Sequence, residues 1–298
     1  MNEDRGLGKV FLVSCIVLIV QLFGWYYSNS LALLGDSAHV FSDIIAIGAS
    51  LLAIKLALKL PTSRRTFGFH RAEVFAALFN GALLVVMAIV IAYEAFTRFG
   101  TIYEINSVPM LFTSFIGLLG NLYVVYQLQH DENLNVRSAF LHAAGDALSS
   151  IGVMIGAILI LFTGQYVIDI IISLIISVLI LFGAYRILRS SLSILLESAP
   201  YGVSVEKIEK TVMTVDKVKG VHDIHVWRTC SEFVFAMMHI EVTEQNLVKL
   251  RKMQLEIEKK LHDKYEITHV TIQFEPYGCS CRSEKMCHLL EHKKGHSH

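Results

Sequence analysis

Two copies of one spacing, His-x-x-x-Asp, lie inside apolar stretches of this 298-residue chain. They are His39 with Asp43 in LALLGDSAHVFSDIIAIGA, and His142 with Asp146 in SAFLHAAGDALSSIGVMIG. A separation of four puts both side chains of a pair on one helical face, one turn apart. An ionisable group within a bilayer is expensive, and it normally faces a bundle interior or a water path. Two such pairs supply two imidazoles and two carboxylates, a donor set that suits tetrahedral Zn²⁺. The competing reading, two unrelated sets of helix-packing polar residues, leaves the cost of four buried ionisable groups unexplained.

Those pairs need membrane helices to hold them, and the composition provides them. The chain is 54% hydrophobic and only 17% charged, against about 25% charged for an ordinary soluble protein. The long apolar runs occupy residues 10–190, while 201–298 are ordinary polar sequence. The shift predicts a membrane domain over 1–199, a soluble domain over 200–278 and a Cys/His-rich tail over 279–298. Equal numbers of basic and acidic residues, 26 of each, give no pointer to nucleic acid. The opening MNEDRGLGK mixes charges and no small-residue cleavage site follows the first apolar run, so no cleavable signal peptide is expected.

A bilayer core needs about 20 apolar residues per helix. Six spans are predicted: Val10–Tyr27, Leu31–Leu58, Ala72–Phe99, Val108–Gln129, Ser138–Phe162 and Tyr166–Leu188. Basic residues set their orientation. Arg5 and Lys9 precede the first span. Lys59, Arg64, Arg65 and Arg71 crowd the second connection, and Arg186 and Arg189 end the sixth span, against Arg98 on the other side. Both termini and the soluble domain are therefore expected in the cytoplasm. At 1.5 Å per residue, both His/Asp pairs then fall in the middle third of a core about 30 Å thick. Asp36 and Asp169 either form an acidic outer mouth or cap helix ends. Asn80 and Asn121 read as helix–helix hydrogen bonders.

The soluble part reads as a helix over 204–218, strands VHDIHVWRT and EFVFAMMHIEV, a helix near Glu244–Lys264, and a strand ITHVTIQFE. The order αββαβ suits a small sheet with helices on one face. His222, His239 and Glu275 recur near strand positions, and Cys279 and Cys281 follow. Two imidazoles, a carboxylate and paired thiols point to a second metal site, with His225 or His269 able to replace either His. Cys279 and Cys281 are too close for an easy disulfide, and cytosolic thiols stay reduced. The tail CHLLEHKKGHSH is His-rich, and reads equally as a loose metal binder or a solubilising tail.

The motifs SLALLGDSAHVFSD, TFGFHRAEVFAALFNG, LHAAGDALSSIGV and VHDIHVW with the later QFEP occur here together and in order. The chain in this respect resembles the cation diffusion facilitator family, in its zinc, cobalt and cadmium efflux branch. The resemblance implies a membrane all-α six-helix bundle plus a cytoplasmic α+β domain, αββαβ and metallochaperone-like. It further implies a homodimer that exchanges divalent metal ions, Zn²⁺ among them, for protons across the lipid bilayer; a regulatory Zn²⁺ is expected at the second metal site of the soluble domain. By motif, His39, Asp43, His142 and Asp146 match the transport site, and His222, His239 and Glu275 match the cytoplasmic metal positions. Gln273 stands where some members have a His. His70 in GFHR matches a loop His that binds metal in some members, although the loop's usual Asp and second His are absent. Only HDENLNV joins the fourth and fifth spans, where many eukaryotic members carry a His-rich loop. That favours a bacterial-type plasma-membrane protein.

The function expected is proton-coupled efflux of Zn²⁺, with Co²⁺ and Cd²⁺ as further cargo. One alternative is the same machine for Ni²⁺, Fe²⁺ or Mn²⁺. Another is an intramembrane metalloenzyme, but four ligands would fill the open position that catalytic zinc keeps. A membrane-tethered metal sensor would leave the midplane carboxylates without a role.

Overall fold

The computed structural model describes residues 2–57, 62–100, 104–128 and 134–278, without the side chains of 2–7, 50, 51, 53, 54, 57, 127, 128 and 134–143. The chain divides into two compact units, Met1–Arg189 and Ser190–His298. In the first unit each apolar run forms a helix: α1 Asn2–Ser28, α2 Leu31–Ala57, α3 Arg71–Arg98, α4 Ser107–Leu128, α5 Leu134–Thr163 and α6 Val167–Leu195. All six are long and apolar enough to cross a membrane. The unit's core is small and aliphatic, with Ala32, Leu33, Ala88, Ile91, Val153 and Ala157 fully buried. Phe79, Phe96, Phe162 and Phe182 point outward, as lipid-facing side chains do. Close crossings rely on missing side chains. A Cβ on Gly24 would land on Thr113 of α4, and one on Gly156 would land on Ile172 of α6.

Three helices outrun their expected ends by four residues or more. α1 starts at Asn2 instead of Val10, α5 at Leu134 instead of Ser138, and α6 continues past Leu188 to Leu195. The stop after α6 is conformational. Glu197 takes a left-handed φ of 57°, and the Ser198 N–H donates back to the Ser193 carbonyl at 3.0 Å. Pro200 then prevents the helix from resuming.

The second unit has α7 Val205–Val212, β1 Val218–Arg228, β2 Val234–Val242, α8 Leu247–Tyr265 and β3 His269–Pro276. The order is the expected αββαβ. β1 and β2 pair antiparallel, β3 joins β2 in parallel, and α8 makes the crossover that a parallel pair needs. Ile208, Met238, Ile240, Ile257 and Leu261 fill the layer between sheet and helices. α7 ends well before the predicted Val218. Its last turn is rich in β-branched residues, and hydroxyls compete for its carbonyls. Thr211 Oγ1 donates to the Lys207 carbonyl at 3.0 Å, and Thr214 Oγ1 to that of Thr211 at 2.7 Å. α8 begins on Asn246, whose Oδ1 accepts from the N–H groups of Val248 and Lys249 at 3.0 and 3.2 Å.

A bulge in β1 decides what this sheet can do. His222 pairs with His239 and His225 with Met237, so Asp223 and Ile224 together oppose Met238. Regular alternation would turn His222 and His225 to opposite faces. The extra residue keeps both on the face away from the helices, while Ile224 and Val226 enter the core.

Candidate metal centres

α2 carries His39 and Asp43 one turn apart, and α5 carries Asp146. One ligand atom from each lies within 4.8 Å of the others. His39 Nε2 is 2.6 Å from Asp146 Oδ1. Asp146 is buried, and the other two are half-buried. His142 lies in α5 one turn before Asp146, but its side chain is outside the described residues. The cluster is thus a cation-sized gathering of one imidazole and two carboxylates, inside helices that can cross a membrane.

One turn toward the start of α2, and one turn on along α5, is a second rung. Asp36, 1% exposed, accepts from Gln21 Nε2 of α1 at 2.6 Å and from Ser150 Oγ of α5 at 3.0 Å. Asn121 of α4 donates to Ser150 Oγ at 3.1 Å. Four helices thereby meet around one buried carboxylate. Gly117 makes room, since a Cβ there would come 2.5 Å from Gln21 Nε2. Sequence reasoning passed over Gln21 and Ser150, although a Gln in an apolar run was a visible signal. Asn80 donates to Ser42 Oγ at 2.9 Å, joining α3 to α2 as its type suggested.

Asp169 does not line a mouth. It is fully buried and caps α2 from the first turn of α6. Its carboxylate accepts from Ser30 Oγ at 2.5 Å and from the N–H groups of Leu31 and Ala32 at 2.8 and 3.2 Å. Those donors belong to the first turn of the helix that carries His39. Arg98 is held beside them, donating through Nη1 to the Asn29 carbonyl at 2.7 Å.

In the second unit, His222, His239 and Glu275 come together from three adjacent strands, again with ligand atoms within 4.8 Å. Glu275 lies between the rings. Its Oε1 is 2.8 Å from His239 Nδ1 and its Oε2 is 3.3 Å from His222 Nε2. Gln273 donates to Glu275 Oε1 at 3.0 Å, so it touches the site through that carboxylate. His225 is beside the cluster and contacts Asp223. His269 instead lies against Phe235, 5.7 Å between ring centroids. Asp223 and Glu241 also face the two imidazoles, and neither was singled out from sequence. Two imidazoles and a carboxylate at this spacing suit zinc. Cys279 and Cys281 lie outside the described residues. His70, at the N-cap of α3, joins neither cluster among the described residues.

Residues 9–196 match the family model for the cation efflux transmembrane domain, and 200–277 match that for the cation efflux protein cytoplasmic domain. The chain is 35% identical to a cadmium, cobalt and zinc/H(+)-K(+) antiporter of Bacillus subtilis, over 100% of this chain and 99% of that protein. It is 36% identical to the zinc transporter ZitB of Escherichia coli, over 100% and 94%. It is also 36% identical to the metal cation efflux system protein CzcD of Cupriavidus metallidurans, over 93% and 88%. The chain belongs to the cation efflux family. It is an integral membrane transporter of metal ions and not an enzyme.

Proposed function

On that membership, we propose that the protein exports Zn²⁺ from the cytoplasm in exchange for protons, with Co²⁺ and Cd²⁺ as further cargo. The observation that carries the reading is the convergence of His39, Asp43 and Asp146 from α2 and α5. His142, one turn from Asp146 on the same helical face, is assigned the fourth position. Two carboxylates balance the charge of a divalent ion and lower the cost of its passage through the bilayer. The imidazoles favour zinc-like ions over Mg²⁺ and Mn²⁺, which prefer oxygen. The relatives whose names mention zinc, cadmium and cobalt agree with that choice.

Proton coupling follows from ligand chemistry. Imidazole must be neutral to bind metal, and a 2.6 Å His39–Asp146 contact holds a proton where the metal would sit. Metal entry expels that proton, and protons arriving from the far side displace the metal. Alternate exposure of the site completes the cycle. In this reading the domains are 1–199, 200–278 and 279–298, the termini are cytoplasmic, and the chain works as a homodimer. A zinc ion held by His222, His239 and Glu275, with Cys279 or Cys281, regulates transport.

The test is metal flux into proteoliposomes with an imposed pH gradient, run over Zn²⁺, Co²⁺, Cd²⁺, Ni²⁺, Fe²⁺ and Mn²⁺. Zinc flux that rises with the gradient is expected. Zinc flux indifferent to the gradient removes proton coupling, and faster flux of Mn²⁺ or Ni²⁺ than of Zn²⁺ removes the assigned cargo.

A further inference from the structure

We propose that Asp223 and Glu241 are positioning residues of the cytoplasmic metal site, holding the imidazole N–H groups on the side away from the metal. His239 then ligates through Nδ1 and His222 through Nε2. The inference rests on the reading of His222, His239 and Glu275 as a zinc site.

The two rings are 5.3 Å apart between centroids. His239 Nδ1 and His222 Nε2 both turn toward Glu275. Their other nitrogens turn toward different carboxylates. His239 Nε2 is 3.7 Å from Asp223 Oδ2, and His222 Nδ1 is 4.0 Å from Glu241 Oε1. A neutral imidazole has one N–H and one lone pair, and a metal takes the lone pair. A carboxylate on the outer nitrogen keeps the proton there and frees the inner lone pair. Both separations are longer than a hydrogen bond, so the geometry gives the pairing of each outer nitrogen with its carboxylate and not a bond already made.

Asp223 is held for this task. It occupies the bulge at a left-handed φ of 52°, a conformation that Asp tolerates better than most residues. His225 Nε2, 2.8 Å from its other oxygen, fixes the carboxylate. Glu241 is only 5% exposed, an expensive place for a carboxylate. Gly220 across the ladder leaves it room, since a Cβ there would come 3.2 Å from Glu241 Cδ.

The experiment measures zinc affinity by chelator competition in the full-length detergent-solubilised chain, with Asp43 and Asp146 both changed to Ala to silence the membrane site. Asp223→Gly relieves the backbone strain but removes the acceptor. It is expected to weaken zinc on the order of 10–100-fold, while the metal-free melting temperature does not fall. Asp223→Asn keeps the shape and an acceptor oxygen, and is expected to lie between the two. Glu241→Gln is expected to weaken zinc as well. Parent affinity in both Asp223 variants overturns the inference, because a residue needed only for the bulge is replaced without loss by Gly. Zinc binding by the parent that His239→Ala leaves unchanged overturns the site reading itself.

Discussion

The two candidate metal clusters both combine imidazole with carboxylate and assemble that set by different geometry. In the membrane unit, one helix places His39 and Asp43 a turn apart, and a second helix brings Asp146 to within 2.6 Å of His39. In the cytoplasmic unit no two of the candidate ligands among the described residues share a helix. His222, His239 and Glu275 come from three strands, aligned by ladder register and by a bulge at Asp223. A helical site inherits its spacing from the backbone period and so can be read from a chain. A sheet site depends on pairings between distant segments, and one inserted residue changes which face a side chain occupies. The surroundings differ too. The membrane cluster is walled by a buried polar ladder through Asp36, whereas the cytoplasmic one lies on the open face of a sheet whose other face is a packed core.

The comparison breaks most readily through that core. Leu261 of α8 is fully buried, and Leu261→Ala leaves a cavity that costs about 2–5 kcal/mol. Hydrogen exchange in β1 and β2 should accelerate accordingly. Unchanged exchange there would show that the sheet does not depend on the α8 layer. In the membrane unit the corresponding anchor is polar. Asp169→Ala leaves Ser30 and the first N–H groups of α2 without their acceptor, at about 1–3 kcal/mol. The melting temperature of the solubilised protein should fall, with Asp169→Asn between the two. A melting curve identical to the parent's would mean that α2 is capped some other way.

A smaller change sharpens the chemical side. His39→Asp trades an imidazole for oxygen and should shift zinc-over-manganese selectivity about tenfold toward manganese, or about 1.4 kcal/mol. Discrimination unchanged in competitive flux would remove His39 from the selecting shell.

The smallest effect lies at the edge of the sheet domain. Lys217 Nζ donates to Glu244 at 2.6 Å and holds its carboxyl at about 2, below the ordinary 4.5. A lowered acid stabilises the fold fully above pH 4.5, and that contribution fades as pH falls from 4.5 toward 2. Lys217→Met should flatten this part of the stability–pH curve. Lys217 is exposed and Glu244 half-buried, so 1 M salt should flatten it in part. An acid limb that persists in the variant would place its origin elsewhere.

These differences also explain what the chain disclosed. Six spans, the αββαβ order and the shared helical face of His39 and Asp43 were legible, because apolar period and i,i+4 spacing are local properties. Asn80 and Asn121 could be read as interhelical donors because a lone amide in an apolar helix has few other uses. Asp169 could not be resolved. It caps a helix 138 residues away, and nothing local distinguishes such a cap from an acidic mouth. The end of α7 is not legible locally, because its β-branched last turn and the residues up to Val218 still fit an apolar helical period. Asp223 stayed hidden because its role depends on a register shift, which appears only when β1 is laid against β2.

The decisive measurement is zinc flux into proteoliposomes for Asp146→Ala and His239→Ala, titrated from low to saturating zinc at a fixed pH gradient. Asp146→Ala is expected to fall to the protein-free background, while His239→Ala keeps measurable transport with an altered dependence on zinc concentration. Parent-level flux in Asp146→Ala would contradict it, because the cargo would then cross without the carboxylate that joins α5 to His39.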